Sequence, residues 1–267
     1  MKHFLWVYSL VQGITEAIPV SSSSHIRLIA QWMQHPLSLA LEGALHMGTG
    51  LAFCAMYPSS VKKAFLGFFH VLKGKYTTSE AHWWIFVTVA SLPVLVLGGL
   101  MHLLHMRLRI PGAIAVLCAA SGFLLWWFDR YGPRIYSTKV ENFEKGWVFR
   151  ACMLGALQML ALFPGVSRLG ACLLASRWIG YSRSESLHIS IVLGIISIFA
   201  CVTLEAPALV HLDFTLSLWV QTIGITFFSC FAALWMFRCY IQNVSFFWFF
   251  LYRCVLAGLL MFNHVLS

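Results

Sequence analysis

"AIPVSSSSH" (residues 17–25) and "LFPGVSRLG" (residues 162–170) are two polar, proline-centred stretches in an otherwise apolar chain. Pro164 lies 145 residues after Pro19, and the same shift relates Ser167 to Ser22. Because proline cannot donate a helical hydrogen bond and the residue before it is biased away from helix, each stretch is predicted to break a helix. At membrane depth, such a break is tolerated only where it is buried in protein or lines a wet cavity.

The composition is that of a membrane protein. Of 267 residues, 60% are hydrophobic and 10% are charged, against roughly 25% charged in a typical soluble domain, and the mean hydropathy is +0.81. The net charge of +9 is more typical of cytoplasmic loops than of nucleic-acid binding in such a chain. The eight cysteines show no metal-ligand spacing and lie in or beside apolar segments, so neither a disulfide framework nor a zinc site is predicted.

Six apolar segments approach or exceed the length that a bilayer-spanning helix needs; they are 36–57, 84–105, 110–128, 186–204, 214–237 and 246–266. Three of them lie between the two breaks, and an odd number inverts the second half relative to the first. The prediction is an all-α integral membrane protein with six transmembrane helices and two re-entrant helix pairs, arranged as inverted-topology repeats. It forms a single polytopic domain over residues 1–267, with repeat 1 at about 1–128, an inner loop at about 129–146 and repeat 2 at about 147–267.

Loop charges orient this arrangement. If the first re-entrant pair opens from the outer side, the inner loops hold most of the basic residues: Lys62, Lys63, Lys73, Lys75, Arg130, Arg134, Lys139, Lys145, Arg177, Arg183 and Arg238. The outer loops then keep only Arg107 and Arg109, and the loop at 206–213 carries Asp213 without Lys or Arg. This bias follows the positive-inside rule, and it predicts a site that opens toward the outer face.

The two breaks together have the chemistry of an anion site. Gln12 and Glu16 are four residues apart and share a helical face, and serines 21–24 are favourable residues for a helix start. The free N–H groups and positive dipole of a helix start suit a phosphate. The second break adds Arg168, whose planar guanidinium matches phosphate oxygens.

Structural alternatives exist for each of these residues. Membrane serines often bond to backbone carbonyls, His25 is compatible with a core histidine, and Glu16 and Arg168 could simply neutralise each other across the repeat interface. Ionisable groups within a membrane are nevertheless expensive and favour a function. Glu42 and His46 share a face of the first span and fit a polar packing pair, while Arg253 interrupts the last span and is predicted to face the interior in a supporting role.

The motifs "QGITEAIPVSSSSH" and "FPGVSRLGAC" resemble the two signature motifs of the undecaprenyl-diphosphate phosphatase family, the bacterial membrane enzymes associated with bacitracin resistance. "LEGALHMGT" (41–49), "VASLPVLVLG" (89–98), "IGYSRSES" (179–186) and "FLYRCVLAGLLM" (250–261) resemble further family segments in the same order. The resemblance implies an enzyme of the bacterial cell membrane. It would remove the terminal phosphate of a C55 polyprenyl diphosphate, giving the monophosphate lipid carrier of cell-wall synthesis, with Mg²⁺ or Ca²⁺ as cofactor.

The resemblance also implies roles for individual residues. The catalytic group would be Glu16, Ser22, His25 and Arg168, with Glu16 also binding the metal; the substrate-binding residues would be Gln12, Ser21, Ser23, Gly165 and Ser167. Four residues depart from the family motifs. Gln12 stands where many members have a second glutamate, Ser24 replaces a glycine, and Leu169 and Cys172 replace hydroxyl residues.

Two questions stay open at this level. Ser22 is the preferred nucleophile, with His25 as general base or acid, but direct attack by water activated at His25 is the alternative. The alternative function is a transporter or flippase of a polyprenyl phosphate or small anion, because inverted repeats with broken helices also build secondary transporters. The expected partners are the polyprenyl diphosphate and membrane lipids, without nucleic acid; a homodimer is left open.

Overall fold

The computed structural model describes residues 2–35, 37–104, 111–133, 146–210 and 214–266. Within these ranges the chain is helical, and eleven α-helices follow one another: α1 (Lys2–Glu16), α2 (Ser22–Trp32), α3 (Leu39–Met56), α4 (Pro58–Leu72), α5 (Ser79–Leu103), α6 (Pro111–Tyr131), α7 (Trp147–Gln158), α8 (Arg168–Ile179), α9 (Arg183–Val210), α10 (Leu216–Tyr240) and α11 (Phe246–Leu266). A short 3₁₀ turn, Met159–Leu162, continues α7.

The helices have the surface of a membrane protein. Five of them (α5, α6, α9, α10 and α11) are long and apolar enough to cross a bilayer. Large apolar side chains such as Val96, Val116 and Phe228 are exposed on them, whereas Thr222 and Thr226 are buried. Apolar residues outside and small polar residues inside match a lipid environment. The predicted all-α, multi-pass membrane architecture is confirmed at this level.

Both predicted breaks are present. Helix α1 ends at Glu16 and α2 begins at Ser22, so the chain turns at Pro19. The 3₁₀ turn ends at Leu162, and α8 begins at Arg168 on the other side of Pro164. Within each pair the two helices pack against each other. The breaks therefore each produce a pair of short adjacent helices.

Helix α3 corresponds to the predicted span 36–57, although residue 36 lies outside the described residues. The hydroxyl of Ser38 caps its start by accepting a hydrogen bond from the Leu41 amide at 3.2 Å. The helix packs against α9 and α10, and Ala44 and Leu45 on it are buried. It thus forms part of the interior of the bundle.

The sequence does not predict helix α4, since Lys62 and Lys63 are expected to lie in an inner loop. Pro58 stands in its first turn, where the missing N–H costs nothing. Gly67 allows close packing on α5, since a Cβ there would come within 2.0 Å of the Glu80 carbonyl oxygen. The segment between α3 and α5 is therefore mostly helix. Of the other loop charges used for orientation, Arg107, Arg109, Arg134, Lys139, Lys145 and Asp213 lie outside the described residues.

A buried ion cluster joins four elements at one end of the bundle. Asp129 on α6 accepts from Arg177 Nε at 3.0 Å and from Arg183 Nη2 at 2.6 Å. Arg183 also donates to the carbonyls of Ile241 and Val244 in the turn between α10 and α11. Two of the basic residues predicted to lie in inner loops thus link helix ends.

Candidate functional site

The first break is organised around Ser21. Its φ of 70° is left-handed, which is uncommon for a residue with a side chain. Its hydroxyl lies 2.9 Å from Ser24 Oγ and 3.3 Å from Ser23 Oγ, so the four-serine run stabilises its own turn. Ser24, where the family motif has glycine, is a buried helical residue of α2. The backbone freedom of a glycine is therefore not needed at position 24, and the unusual backbone angle falls at Ser21 instead.

The second break is organised around Gly165 and Ser167. Gly165 has a φ of 95°, and a Cβ on it would come within 2.4 Å of the Ile114 carbonyl oxygen. Ser167 Oγ accepts a hydrogen bond from the Gly170 amide at 3.1 Å and caps α8. Arg168 is the first residue of that helix. The loop therefore sets the position of the Arg168 guanidinium.

Glu16 is the point at which the two breaks meet. Its Oε2 accepts a hydrogen bond from Ser22 Oγ at 2.5 Å and one from Gln12 Nε2 at 3.2 Å. Its Oε1 lies 3.5 Å from Arg168 Nη2. Glu16 is 7% exposed, so the carboxylate depends on these partners for its charge to be tolerated. The structure thus brings together four residues predicted to belong to the site.

One nitrogen of the Arg168 guanidinium has no hydrogen-bonding partner among the described residues. Its Nη1 is buried and makes no hydrogen bond within the described part of the chain. A buried guanidinium N–H without a partner is costly unless a ligand completes it. This donor lies on the same side chain that approaches Glu16, so an anion bound at Nη1 would lie beside the Glu16–Ser22 pair.

His25 has hydrogen-bonding partners outside this pair. Its Nδ1 lies 2.8 Å from the Ser21 carbonyl oxygen, and its Nε2 lies 2.7 Å from the Tyr252 hydroxyl. Ser22 donates to Glu16, and the role of His25 as general base or acid stays a prediction. His25 and Ser22 therefore have different hydrogen-bonding partners.

Arg253 supports the second break from α11. It is fully buried, and its Nη2 donates to the Gly165 carbonyl at 3.1 Å and to the Ser121 hydroxyl. The predicted supporting role in the interior agrees with these contacts. Neighbouring residues of α11 thus contact both breaks, since Tyr252 meets His25 and Arg253 meets Gly165.

A cavity of about 790 Å³ adjoins the site. Ser23, Pro164 and Arg168 line one side of it, and Glu42 and Glu205 line another. Its wall also includes residues from the C-terminal part of α5, the N-terminal part of α6 and the C-terminal part of α9. These helix ends lie on the side of the bundle opposite the Asp129 cluster, so the cavity opens at one end of the bundle.

Two contributors to the site were missed by sequence reasoning. His46 was interpreted as part of a packing pair with Glu42, but its Nδ1 lies 3.3 Å from Gln12 Nε2. Its membership could have been inferred only from knowing how α3 packs on α1. Tyr252 lies in the segment 250–261 that resembles the family, but nothing in the sequence pairs it with His25, which is 227 residues away.

The donors available for a metal are few. Among the described residues, no group of three His, Cys, Asp or Glu side chains comes together. Glu16 is the carboxylate nearest Arg168, and Gln12 contributes an amide where the family has a second carboxylate. This set is small, but a divalent cation can be held by one or two carboxylates together with water and substrate phosphates, as Mg²⁺ commonly is. The choice between Mg²⁺ and Ca²⁺ stays a prediction.

These features define a class: a helical multi-pass membrane protein in which two broken helix pairs converge on a carboxylate, a hydroxyl and an arginine. Comparison with known proteins gives the family. Residues 5–259 match the family model described as "Bacitracin resistance protein BacA", and the chain belongs to that family. The resemblance seen in the sequence motifs is confirmed.

Three relatives share the length of the chain. A protein named undecaprenyl-diphosphatase from Roseobacter denitrificans is 30% identical over 263 residues, which cover 96% of each chain. Proteins of the same name from Maricaulis maris and Jannaschia sp. are 30% and 29% identical, over 94% and 96% of each chain respectively.

Proposed function

We propose that this protein is an undecaprenyl-diphosphatase, which hydrolyses the terminal phosphate of undecaprenyl diphosphate to give undecaprenyl phosphate and inorganic phosphate. The names of three relatives that match over nearly the whole chain support this activity. The observation that carries it is the unpartnered Arg168 Nη1 beside the hydrogen-bonded Glu16–Ser22 pair. An anion-binding donor, a hydroxyl and its base within one site are what phosphoryl transfer requires.

The proposed topology has six spans, with α3 as the sixth, and two re-entrant pairs, α1–α2 and α7–α8, related as inverted repeats. Reciprocal packing supports it. Helix α1 packs on α10 as α7 packs on α5, and α2 contacts α11 as α8 contacts α6. One mapping of the first half onto the second, α1 to α7, α2 to α8, α5 to α10 and α6 to α11, exchanges these pairs. Helix α4 has no counterpart in this mapping.

We place the protein in the bacterial cell membrane with its site opening toward the outer face. The cavity beside Arg168 is lined by residues from the C-terminal parts of α5 and α9 and the N-terminal part of α6. Lys62, Lys73 and Arg238 lie at or near helix ends on the opposite side, where positive charge favours the cytoplasm.

Two helix starts and Arg168 would hold the diphosphate. Helices α2 and α8 begin at Ser22 and Arg168, and their first amide groups favour an anion. Gly165, Ser21, Ser23 and Ser167, which lie in or beside the two breaks, would surround the head group. The polyprenyl chain would stay in lipid between helices, so only the head group enters the site.

Ser22 would attack the terminal phosphorus. Its hydroxyl already donates to Glu16, so the carboxylate is placed to take the proton as the Oγ–phosphorus bond forms. The bond between the bridging oxygen and the terminal phosphorus then breaks, and undecaprenyl phosphate leaves. Arg168 would neutralise charge that builds up on the transferred group.

His25 would serve the second half of the reaction. A backbone carbonyl can only accept, so Nδ1 carries the ring proton toward Ser21, and Nε2 holds the lone pair that faces the Tyr252 hydroxyl. Nε2 is then the basic nitrogen, suited to take a proton from the water whose oxygen attacks the phosphoserine. As the bond between Ser22 Oγ and phosphorus breaks, protonated Glu16 would return its proton to Oγ, and inorganic phosphate leaves. This assignment gives the two proton acceptors, Glu16 and His25, separate steps.

Mg²⁺ would be held by Glu16 together with the diphosphate oxygens and water. When bound, it would neutralise negative charge on the diphosphate and so favour attack by an oxygen nucleophile. Gln12 orients Glu16 without adding charge, because its amide donates to the same carboxylate oxygen as Ser22.

The activity can be tested with the purified protein in detergent, where no compartments exist. We expect release of inorganic phosphate from undecaprenyl diphosphate in the presence of Mg²⁺. A protein that only transported the lipid would release none, and this result would overturn the proposal.

A further inference from the structure

The structure assigns a further residue to this site: we propose that Tyr252 is the positioning residue that fixes the plane and the proton-accepting nitrogen of His25. The inference rests on the proposed function, because it concerns the group assigned there to the second proton transfer. It is independent of the family motifs quoted for the two breaks, since Tyr252 lies on α11.

Three contacts restrain the His25 ring, and Tyr252 provides two of them. The Tyr252 hydroxyl lies 2.7 Å from Nε2. The two rings also stack, with centroids 5.6 Å apart and planes within 10°. The third contact is the Nδ1 hydrogen bond to the Ser21 carbonyl at 2.8 Å. Without Tyr252, the ring would keep one restraint and could turn about its side-chain torsions.

The direction of each hydrogen bond follows from the partners. The Ser21 carbonyl can only accept, so the neutral ring carries its proton on Nδ1. Nε2 must then accept, and the Tyr252 hydroxyl is the donor. Tyr252 thereby fixes Nε2 as the accepting nitrogen of the resting site, and its hydroxyl would give way at that lone pair when a water is activated there.

The backbone on both sides gives Tyr252 a defined position. The next residue, Arg253, is fully buried and hydrogen-bonded to the Gly165 carbonyl of the second break. Tyr252 itself is 48% exposed, and its hydroxyl reaches His25 Nε2 at 2.7 Å. Helix α11 therefore sets the His25 ring in a fixed relation to the loop that carries Arg168.

Tyr252→Phe tests the hydroxyl contact separately from the ring contact, because it keeps the stacking surface and removes the donor. We expect kcat for phosphate release to fall about three- to tenfold, as the loss of one hydrogen bond predicts, with KM within about twofold since Tyr252 is not assigned to the diphosphate. Tyr252→Ala removes both restraints, and a fall of about 30- to 100-fold is expected. Tyr131→Phe, a change in another exposed tyrosine at the end of α6, is the matched control and should leave kcat unchanged.

A chemical readout tests the contact without turnover. Diethyl pyrocarbonate acylates a free imidazole lone pair, and the rate at each histidine can be followed by mass spectrometry. Because Tyr252 occupies Nε2, Tyr252→Phe should raise the rate at His25 about fivefold, the factor expected for one hydrogen bond. The exposed His102 on α5 should react equally in both proteins.

Two results would overturn the proposal: unchanged kcat in Tyr252→Phe, or reduced kcat with no change in His25 reactivity. Failure of the proposed function would look different, because the wild-type protein would then release no phosphate. The reactivity of His25 would still decide whether Tyr252 restrains its ring.

Discussion

At the scale of single residues, the chemistry of the site depends on which side chains contact the Glu16 carboxylate. One oxygen accepts from both Ser22 and Gln12, and the other faces Arg168 at 3.5 Å. A buried carboxylate with these partners stays ionised, and it can act as base only toward the hydroxyl that already donates to it. The chemistry therefore depends on Ser22 more than on any other hydroxyl of the serine run.

Ser22→Ala tests this dependence. We expect phosphate release to fall at least about 100-fold if Ser22 is the nucleophile, while thermal unfolding in detergent changes little because Ser22 is only half-buried. Ser59→Ala, on the first turn of α4, is the control and should behave as wild type. Full activity in Ser22→Ala would exclude the covalent route and leave direct attack by water.

Gln12→Glu tests the metal assignment. It would put a second carboxylate beside Glu16, where the amide nitrogen now lies 3.2 Å away. Two buried like charges favour a bound cation between them, and affinity rises with the charge of the ligands. The Mg²⁺ concentration that gives half-maximal activity should fall about tenfold. Gln12→Ala should give no such fall, and an equal fall in both variants would contradict the assignment.

At the scale of the helices and their breaks, preferences of short sequence stretches predicted most elements. Pro19 and Pro164 act on the residues next to them, so both breaks could be predicted from short stretches, as could five apolar spans from length alone. Helix α4 could not, because its charges and aromatic residues fit an interfacial loop equally well. The Ser22–Glu16 hydrogen bond crosses a break, and no helical period relates residues on its two sides.

Contacts between distant helices were beyond the sequence for a different reason. His25 and Tyr252 are brought together by the packing of α2 on α11. The motifs placed His25 at the site, but a single sequence carries no information on which face of α11 would meet it. The sequence thus raised the Glu16–Arg168 contact, whereas the Ser22–Glu16 and His25–Tyr252 contacts required the fold.

Gly165→Ala tests the second break. A Cβ at φ 95° is strained, and it would also come within 2.4 Å of the Ile114 carbonyl oxygen. We expect a loss of about 1–3 kcal/mol of stability, seen as a lower thermal unfolding temperature in detergent, together with reduced activity as Arg168 shifts. Gly258→Ala, on α11 with open space around it, is the control and should not lower that temperature. Equal behaviour of the two variants would contradict the account of the break.

At the scale of the whole molecule, polarity differs between the two ends of the bundle. One end has the cavity beside Arg168, and the other has the Asp129 cluster, in which two arginines link helix ends. The basic residues of that second end predict that it faces the cytoplasm. The substrate head group would accordingly enter the site from the outer side.

Single cysteines in an otherwise cysteine-free protein test this orientation. A membrane-impermeant maleimide should label Ala206→Cys near the end of α9 in intact cells. Spheroplasts replace intact cells where an outer membrane blocks access. The same reagent should label Asn243→Cys, in the turn between α10 and α11, only after the membrane is opened. Labelling of Asn243→Cys alone from outside would reverse the proposed sidedness.

The central claim is that residues from both breaks form one phosphatase site, and the rate of phosphate release from undecaprenyl diphosphate tests it most directly. Arg168→Lys keeps the charge but loses the two-pronged donor, and Glu16→Gln keeps the shape but loses the base. Both should fall at least about 100-fold below wild type, with thermal unfolding showing that each variant is folded. Near-wild-type release by either folded variant would contradict the account.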